Sequence, residues 1–384
     1  MTKRLYESDS YIKEFEAEVI SCEKDGEFYS VVLNETAFFP EGGGQKADTG
    51  FIDDIEVLDV LIKDDEIIHK TLAPIETGKK VSARIDFDIR YKRMQNHTAE
   101  HIVAGLVHSE YGYANVGFHM SENSMRVDFD GELKKEDIEK IEILANKAVW
   151  KNASVTVLFP TQEEAQKIDY RSKLEILFGL RLIKIEGIDC CACCAPHVNK
   201  TGEVGLIKII DFAPYKRGTR IELVAGIDAL YDYSKINEEN KKLMSALSAP
   251  RDAILEAVEH QSEIITSLTR DKNILSKELA LYKINLIEIN NKAYAFGEGF
   301  SPDDLRFASN QFVEEGKELC VLFSKIDGNE YSYVVNSKGE DVKDFVKAMN
   351  EALSGRGGGK GNYAQGKISA DEKMIEEYII NALK

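Results

Sequence analysis

The sequence is poor in residue types that mark extended or low-complexity proteins. It has only 7 prolines and 1 tryptophan among 384 residues, while 43% of its residues are hydrophobic and 30% are charged. This composition excludes disordered and fibrous classes and is typical of a globular protein with a sizeable core. At this length we expect two or three domains of roughly 100–200 residues each.

Positive charge is also scarce. The chain has 49 Lys and Arg against 67 Asp and Glu, a formal net charge of −18. Broad, non-specific binding of nucleic acid needs a basic surface, so any contact with RNA has to be local. The candidate basic clusters are Arg84, Arg90, Lys92 and Arg93; Lys216, Arg217 and Arg220; and Arg356, Lys360 and Lys367.

No apolar run approaches the roughly 18 residues that span a bilayer, and the first residues lack a signal-peptide apolar region. These absences predict a cytoplasmic protein, in which disulfides are rare. Four of the six cysteines nevertheless crowd into one segment, at Cys190, Cys191, Cys193 and Cys194. This crowding indicates metal binding or a reactive thiol.

Hydrophobic periodicity predicts an α+β fold in four parts. Residues 1–88 alternate apolar and polar positions and form a β-rich, barrel-like domain, and residues 89–228 mix helices and strands. Residues 229–285 form a helical linker, broken near Pro250, and residues 286–384 form a small α/β domain with a glycine-rich loop.

The second linker helix has coiled-coil spacing, with steps of four and three residues. This spacing fits both dimerisation and packing on the same chain. The seam positions are Ile254, Val258, Gln261, Ile265, Leu268, Lys272, Leu275, Leu279 and Tyr282.

Two short motifs predict a metal site. His97-Thr-Ala-Glu-His101 places two imidazoles on one face of a helix, and Cys193-Cys-Ala-Pro-His197 supplies a thiolate and a third imidazole at the same interval. Four nitrogen and sulfur ligands are the set that zinc prefers in tetrahedral geometry. The neighbouring cysteines are alternatives to Cys193 as the sulfur ligand.

A zinc protease is a competing interpretation, since residues 97–101 also fit the pattern H-x-x-E-H, in which Glu100 would be the general base. Such proteases take a downstream carboxylate as third ligand and have no use for a Cys-x-x-x-His pair. The second motif therefore favours the four-ligand site.

Four blocks in the chain resemble the editing domain of alanyl-tRNA synthetase: residues 34–50, 97–101, 193–205 and 217–222. The helical linker and the loop over 357–366 are similar to the DHHA1-type C-terminal domain of that synthetase. Because no aminoacylation module precedes the β-rich region, the chain looks like the long form of the free-standing alanyl-tRNA editing proteins.

This resemblance implies a hydrolase that uses zinc to deacylate mischarged tRNA(Ala), with seryl and also glycyl esters as substrates. Thr36 and Gln45 occupy the positions that line the amino-acid pocket, although Thr36 also fits an ordinary strand. Glu41 would orient water or the substrate amine, or else lie exposed in a turn. Glu100 would support the ligand His101.

The resemblance also implies tRNA as a partner and a homodimer through the linker or the C-terminal domain. A glycine loop that serves only as a turn, and a non-catalytic tRNA-binding relative, are the alternatives. The expected tRNA contacts are Arg356, Gly357, Gly358, Gly359, Lys360, Gln365, Lys216, Arg217 and Arg220.

One motif departs from the family pattern, because Cys-Gly-Gly-Thr-His is here Cys193-Cys194-Ala195-Pro196-His197. Proline fixes the backbone and removes a donor, which alters the contacts of the loop but not its ligands. A closed tetrahedron of four protein ligands favours zinc that positions and polarises the substrate over zinc that carries hydroxide. The remaining histidines, His69, His108, His119 and His260, are expected to be non-ligands.

Overall fold

The computed structural model describes residues 2–172 and 179–384; residues 1 and 173–178, which fall inside the predicted domains 1–88 and 89–228, lie outside the described residues. The chain divides into two compact units, Met1–Asn240 and Lys241–Lys384. Both units mix helices and strands, as the periodicity predicted. Among the described helices, none combines the length and the hydropathy of a membrane span.

The first unit begins with a closed six-stranded barrel, in the order β2-β3-β7-β6-β5-β8. Its strands alternate between core and solvent, as the strictly alternating burial along β8 illustrates. The strand β4 pairs in parallel with β1 outside the barrel. In chain order the elements are β1 (Lys3–Arg4), α1 (Leu5–Ser8), β2 (Glu14–Asp25), β3 (Phe28–Leu33), β4 (Glu35–Thr36), β5 (Gly50–Ile52), β6 (Ile55–Lys63), β7 (Glu66–Thr71) and β8 (Lys80–Ile85).

A long central helix, α2 (Phe87–Tyr111), follows the barrel and ends at Gly112, whose φ of 73° is the left-handed geometry that glycine adopts easily. Its middle is buried on all sides because it packs against α3 and β13 and beneath a four-stranded sheet, β14-β15-β10-β9. The elements are β9 (Asn115–Met120), β10 (Met125–Phe129), α3 (Lys135–Lys151), β11 (Val155–Leu158), α4 (Gln162–Ala165), β12 (Leu182–Ile185), β13 (Asp189–Ala192), β14 (Ile207–Tyr215) and β15 (Gly218–Ala225).

Two helices form the linker, α5 (Ile227–Leu247) and α6 (Ile254–Lys283), separated by a 3₁₀ turn over Arg251–Ala253. The proline therefore precedes a helix start, as predicted. In the described part of the chain the middle of the α6 seam is uncovered, since Leu268 and Leu275 are 62% and 63% exposed. Packing of this stretch on its own chain is not observed there, and only the last turns of α6 contact α7.

The second unit is a six-stranded sheet in the order β16-β17-β18-β19-β21-β20, flanked by helices. Only β17 and β18 are parallel. Its elements are β16 (Ile287–Ile289), β17 (Lys292–Glu298), α7 (Pro302–Glu314), β18 (Leu319–Asp327), β19 (Glu330–Ser337), α8 (Lys343–Ala352), β20 (Arg356–Lys360), β21 (Tyr363–Ser369) and α9 (Glu372–Leu383).

The glycine-rich segment is not the loop that we predicted but a β-hairpin, β20–β21, at the edge of this sheet. Glycine disfavours strands by itself, yet here the neighbouring strand supplies the pairing. A Cβ at Gly359 would lie 1.8 Å from the carbonyl oxygen of Tyr363, so the two strands approach more closely than a side chain would permit. The hairpin therefore requires glycine at Gly357 and Gly359, whereas a Cβ at Gly358 would meet nothing within 4 Å.

Candidate metal centre

Helix α2 brings His97 and His101 together on one face, one turn apart. Both side chains are only 2% exposed, and their ring centroids lie 5.4 Å apart. The buried environment follows from the position of α2 in the middle of the unit, so these imidazoles are not ordinary surface histidines.

The loop after β13 supplies the other two predicted ligands. Cys193 Sγ lies 3.6 Å from His97 Nε2 and 3.4 Å from His197 Nε2. The ligand atoms of His97, His101, Cys193 and His197 all lie within 4.8 Å of one another. Among the clustered cysteines it is Cys193 that joins this group, while Cys191 lies with His101 and Asp189.

All three histidines present Nε2 to this group because Nδ1 of each ring faces an oxygen of another side chain. Such contacts fix the tautomer and the ring orientation of metal-ligating histidines. The contacts are His97 Nδ1 to Gln45 Oε1 (3.0 Å), His101 Nδ1 to Asp189 Oδ2 (3.3 Å) and His197 Nδ1 to Thr98 Oγ1 (3.0 Å).

Electrostatic contacts within the group shift the pKa values of Cys193, His197 and His101. Burial alone would raise the pKa of the Cys193 thiol, but His97, His101 and His197 lower it well below its ordinary value. Burial and the nearby His101 lower the pKa of His197 to about 3. Burial would lower the pKa of His101, but Asp189 and Cys193 raise it well above its ordinary value. Zinc coordinates a thiolate and neutral imidazoles, so Cys193 and His197 are in the form that binds the ion, whereas binding at His101 would release a proton.

Asp189 is held in place by an arginine and by a close approach of the backbone. Arg171 donates from Nε and Nη2 to the two carboxylate oxygens, at 2.7 and 2.8 Å. Burial would raise the pKa of Asp189, but Arg171 and His101 lower it. A Cβ at Gly105 on α2 would lie 2.7 Å from Asp189 Cβ, so this glycine lets β13 reach the helix.

The ligand loop is held by Arg181, which the sequence analysis did not identify. Its Nη1 donates to the carbonyl oxygens of Cys193 and Ala195, at 2.8 and 2.9 Å. Ala195 is fully buried and packs in a small apolar cluster with Tyr6 and Phe39. These contacts define the loop although its Cys-Ala-Pro sequence departs from the family pattern.

Gln45 lies beside the metal ligands. It is buried at the end of a tight turn in which Gly42 and Gln45 form a bridge, and Gly44 has a φ of 84°. While its Oε1 accepts the His97 proton, its Nε2 is buried without a hydrogen-bond partner. An unpaired buried amide donor is costly and is therefore a candidate contact for a substrate oxygen.

Thr36 is fully buried rather than an ordinary half-exposed strand residue. Its Oγ1 lies 2.8 Å from His69 Nε2 and accepts the Phe38 N–H at 3.1 Å. His69 lies outside the metal group, as predicted, but it has partners that its sequence position did not reveal. No local pattern links residues 33 positions apart.

Glu41 and Glu100, the two glutamates considered for the site, differ in burial. Glu41 is exposed in the turn before Gln45, which matches the alternative interpretation of this residue. Glu100 is buried, accepts a hydrogen bond from the Asn115 side chain, and has Oε2 3.7 Å from His101 Nε2. It lies next to the candidate ligand His101, while Cys193 and His197 complete the group of four.

The expected tRNA contacts fall on both units. In the first unit Lys216 and Arg217 are exposed in the β14–β15 turn, whereas Arg220 is bound to Asp128 through two hydrogen bonds of 2.7 and 2.8 Å. In the second unit, all of β20 (Arg356–Lys360) and Gln365 are exposed.

A cleft of about 470 Å³ separates β20 from α8, and the sequence analysis missed its basic residues. Lys343 and Lys347 on α8 line it opposite the backbone of Gly357, Gly358 and Gly359. The two lysines and the glycine backbone offer a combination of charge and N–H donors.

Comparison with known proteins finds similarity to three domain families, each over part of the chain. Residues 180–242 match the threonyl and alanyl tRNA synthetase second additional domain, residues 7–89 match tRNA synthetases class II (A), and residues 290–382 match the DHHA1 domain. The alanyl-tRNA editing protein AlaX-L of Pyrococcus horikoshii is 28% identical over 100% of this chain and 99% of its own length. The chain is thus similar to an alanyl-tRNA editing protein over its whole length.

A second editing protein and an alanine–tRNA ligase are also similar to nearly the whole chain. The alanyl-tRNA editing protein Aarsd1-B of Xenopus laevis is 28% identical over 97% of this chain and 95% of its own length. An alanine–tRNA ligase of Ignicoccus hospitalis is 30% identical over 98% of this chain, which spans only 42% of that ligase. A solved C-Ala domain of the Aquifex aeolicus alanyl-tRNA synthetase matches 26% of the chain with 18% identity and a TM-score of 0.23, too low to carry an argument.

Proposed function

We propose that this protein is a hydrolase that removes wrongly attached amino acids from tRNA(Ala), acting on seryl and also glycyl esters. The observation that carries the proposal is the convergence of His97, His101, Cys193 and His197 from two distant motifs. The full-length relatives named as alanyl-tRNA editing proteins support this substrate class.

Zinc is the metal that we propose for these four residues. Bound there, it would supply a Lewis acid that positions and polarises the ester carbonyl. The three Nδ1 contacts hold the imidazoles so that their Nε2 atoms face one point. Four protein ligands would close the tetrahedron, so catalysis would need one ligand to leave or the coordination to expand. Because a thiolate ligand also lowers the Lewis acidity of the ion, a positioning role is favoured over hydroxide delivery.

The chain's own residues would bind and select the amino acid. Gln45 Nε2 offers a buried donor beside His97, suited to an oxygen of the aminoacyl group. Thr36 offers a buried hydroxyl, which would bind the side chain of serine. A site whose buried polar groups pair with a substrate hydroxyl can reject an analogue of similar size without one by up to about 10⁴–10⁵, and alanine is that analogue. Glycine also lacks the hydroxyl but is smaller, and it would be accepted less well than serine.

The tRNA would be bound by the exposed residues of the two units. In the second unit we propose Arg356, Lys360, Gln365 and the glycine backbone, together with the cleft lysines. In the first unit we propose Lys216 and Arg217. Arg220 is a weaker candidate than the sequence suggested, because Asp128 already neutralises its charge.

We also propose the four-part division at residues 88, 228 and 285, and a homodimer through the linker or the DHHA1 domain. The exposed apolar seam of α6 supports the linker route. Sedimentation of the wild type and a Leu268→Lys/Leu275→Lys variant tests it, since a linker dimer would dissociate in the variant.

The direct test of the activity is release of amino acid from seryl-, glycyl- and alanyl-tRNA(Ala). We expect fast loss of serine and slow loss of alanine in the wild type, and loss of activity in His97→Ala. His108→Ala is the matched control, because His108 is exposed on the same helix. Equal release of serine and alanine by the wild type would refute the proposal.

The same experiment separates the alternatives. A non-catalytic tRNA-binding relative would bind the aminoacyl-tRNA and release nothing. A zinc protease would cleave peptides and lose that activity in Glu100→Gln, whereas in a deacylase this substitution weakens metal binding only.

A further inference from the structure

A chain of buried hydrogen bonds runs from the barrel wall to Thr36. His69 on β7 is fully buried, with Nδ1 3.0 Å from the Val31 carbonyl oxygen and Nε2 2.8 Å from Thr36 Oγ1. The His69 ring also packs edge-on against Phe38, with centroids 5.3 Å apart. None of these groups belongs to the candidate metal centre.

The donor and the acceptor of each hydrogen bond follow from the groups that it joins. A carbonyl oxygen only accepts, so His69 Nδ1 carries the proton that binds Val31. Burial lowers the pKa of His69 to about 4, and the ring is therefore neutral near pH 7. In a neutral ring the second nitrogen only accepts, so the Thr36 hydroxyl donates its proton to His69 Nε2.

Thr36 is consequently left with no proton to donate. Its oxygen already accepts the Phe38 N–H, at 3.1 Å, and a hydroxyl oxygen has two acceptor sites. The second acceptor site of the Thr36 oxygen can therefore accept one more hydrogen bond, and the hydroxyl has no further proton to donate.

We propose that His69 is a positioning residue that makes Thr36 an obligate hydrogen-bond acceptor, so that the site selects an aminoacyl side chain carrying a hydroxyl donor. This inference rests on the proposed deacylase function and deepens it. It assigns the selection of serine to a pair of residues, one of which does not contact the substrate.

The position of Thr36 suits this role. Three residues further along, Phe39 packs in one apolar cluster with Ala195 and Cys193 of the ligand loop. Arg90 on α2 donates to the carbonyl oxygen of Ala37, at 2.6 Å, and thereby ties this segment to the helix that carries His97. The acceptor oxygen is thus fixed relative to the residues that would hold the ester.

The first test compares kcat/KM for seryl- and glycyl-tRNA(Ala), because glycine has no side-chain hydroxyl. We expect His69→Phe and Thr36→Val each to lower the ratio of seryl to glycyl kcat/KM about tenfold, the order expected for one hydrogen bond. Thr36→Ser retains the hydroxyl and should restore most of the ratio. A merely structural defect would lower both substrates in parallel and leave the ratio as it was.

The double variant His69→Phe/Thr36→Val separates the proposed coupling from a general loss of activity caused by structural disruption. Because His69 acts through the Thr36 hydroxyl, the ratio in the double variant should equal that of Thr36→Val alone. The inference would be overturned if the effects of the two single variants multiplied in the double variant, or if His69→Phe left the ratio of seryl to glycyl kcat/KM unchanged. Either result would leave the deacylase proposal standing.

A second measurement needs no variant. Nitrogen chemical shifts of the His69 ring in the full-length protein should report a neutral tautomer with its proton on Nδ1. A proton on Nε2 would overturn the inference, whatever the kinetics. If the wild type releases neither serine nor glycine, the proposed function itself fails and the selective role of His69 fails with it.

Discussion

Replacing Gly105 by alanine tests whether the contact between α2 and β13 controls the metal centre. The new Cβ would lie 2.7 Å from Asp189 Cβ and 2.9 Å from the Ile188 carbonyl oxygen. Ordinary contacts begin near 3.4 Å, so β13 has to retreat by roughly 0.7 Å, the difference between 3.4 and 2.7 Å. The distance of 3.3 Å between His101 Nδ1 and Asp189 Oδ2 would then lengthen towards about 4 Å, and the electrostatic contact that orients the His101 ring would weaken.

Loss of such a partner typically weakens metal affinity about 10- to 100-fold. Overpacking costs about 1–3 kcal/mol, offset by about 1 kcal/mol of improved helix propensity. We therefore expect a large loss of zinc affinity with a small loss of stability, which separates this effect from unfolding.

The assay is competition for zinc with a chromophoric chelator, together with urea denaturation of the same samples. Ser109→Ala is the matched control, since it raises helix propensity at an exposed position of the same helix. Equal zinc dissociation constants for wild type and Gly105→Ala would refute the reasoning. The reasoning would also be refuted if a stabilising substitution elsewhere in the protein restored the wild-type zinc affinity to Gly105→Ala.

Three further predictions concern stability and RNA binding. Arg90→Met removes the bidentate partner of the buried Asp48, which keeps the Phe39 N–H at 2.7 Å and Arg93 at 3.9 Å. The substitution should lower the free energy of unfolding by about 3–5 kcal/mol in urea denaturation, against less than about 1 kcal/mol for Arg126→Met in a surface ion pair. The pKa of His69 is about 4 in the folded protein and 6.5 when unfolded, so protonation of His69 opposes folding below pH 6.5. Between pH 7.5 and pH 5 the free energy of unfolding should fall by about 2 kcal/mol more in the wild type than in His69→Phe. Hydrogen exchange of barrel peptides measures this difference. Lys360→Ala should weaken tRNA binding and reduce its salt slope by about 1, whereas Lys373→Ala, exposed on α9, should change neither; equal slopes would exclude a phosphate contact at Lys360.

Local patterns were sufficient for the elements and for the four candidate ligands. The interval of four residues in both motifs put His97 with His101 and Cys193 with His197, because helix geometry alone brings the first pair together. Pro250 marked the break between α5 and α6. These features depend on neighbours in sequence.

The features that were missed depend on partners distant in sequence. Arg181 donates to the carbonyl oxygens of Cys193 and Ala195, and His69 on β7 binds Thr36 on β4. Neither pairing follows from a recurring spacing in the sequence. The hairpin β20–β21 was missed for a different reason: its glycines carry no strand preference, and the pairing comes from a sheet built by other segments.

The strand β20 has a consequence for how this protein behaves at high concentration. It is the outermost strand of its sheet, and every residue in it is exposed. Bare peptide groups at a sheet edge normally invite a second polypeptide to add on, and the usual safeguards are charge and a lack of apolar side chains. Here three glycines lie between Arg356 and Lys360, so the edge can present its amides to an anion while offering little that another protein strand could hold. Valine in place of Gly358 would turn the same edge into a seed for aggregation.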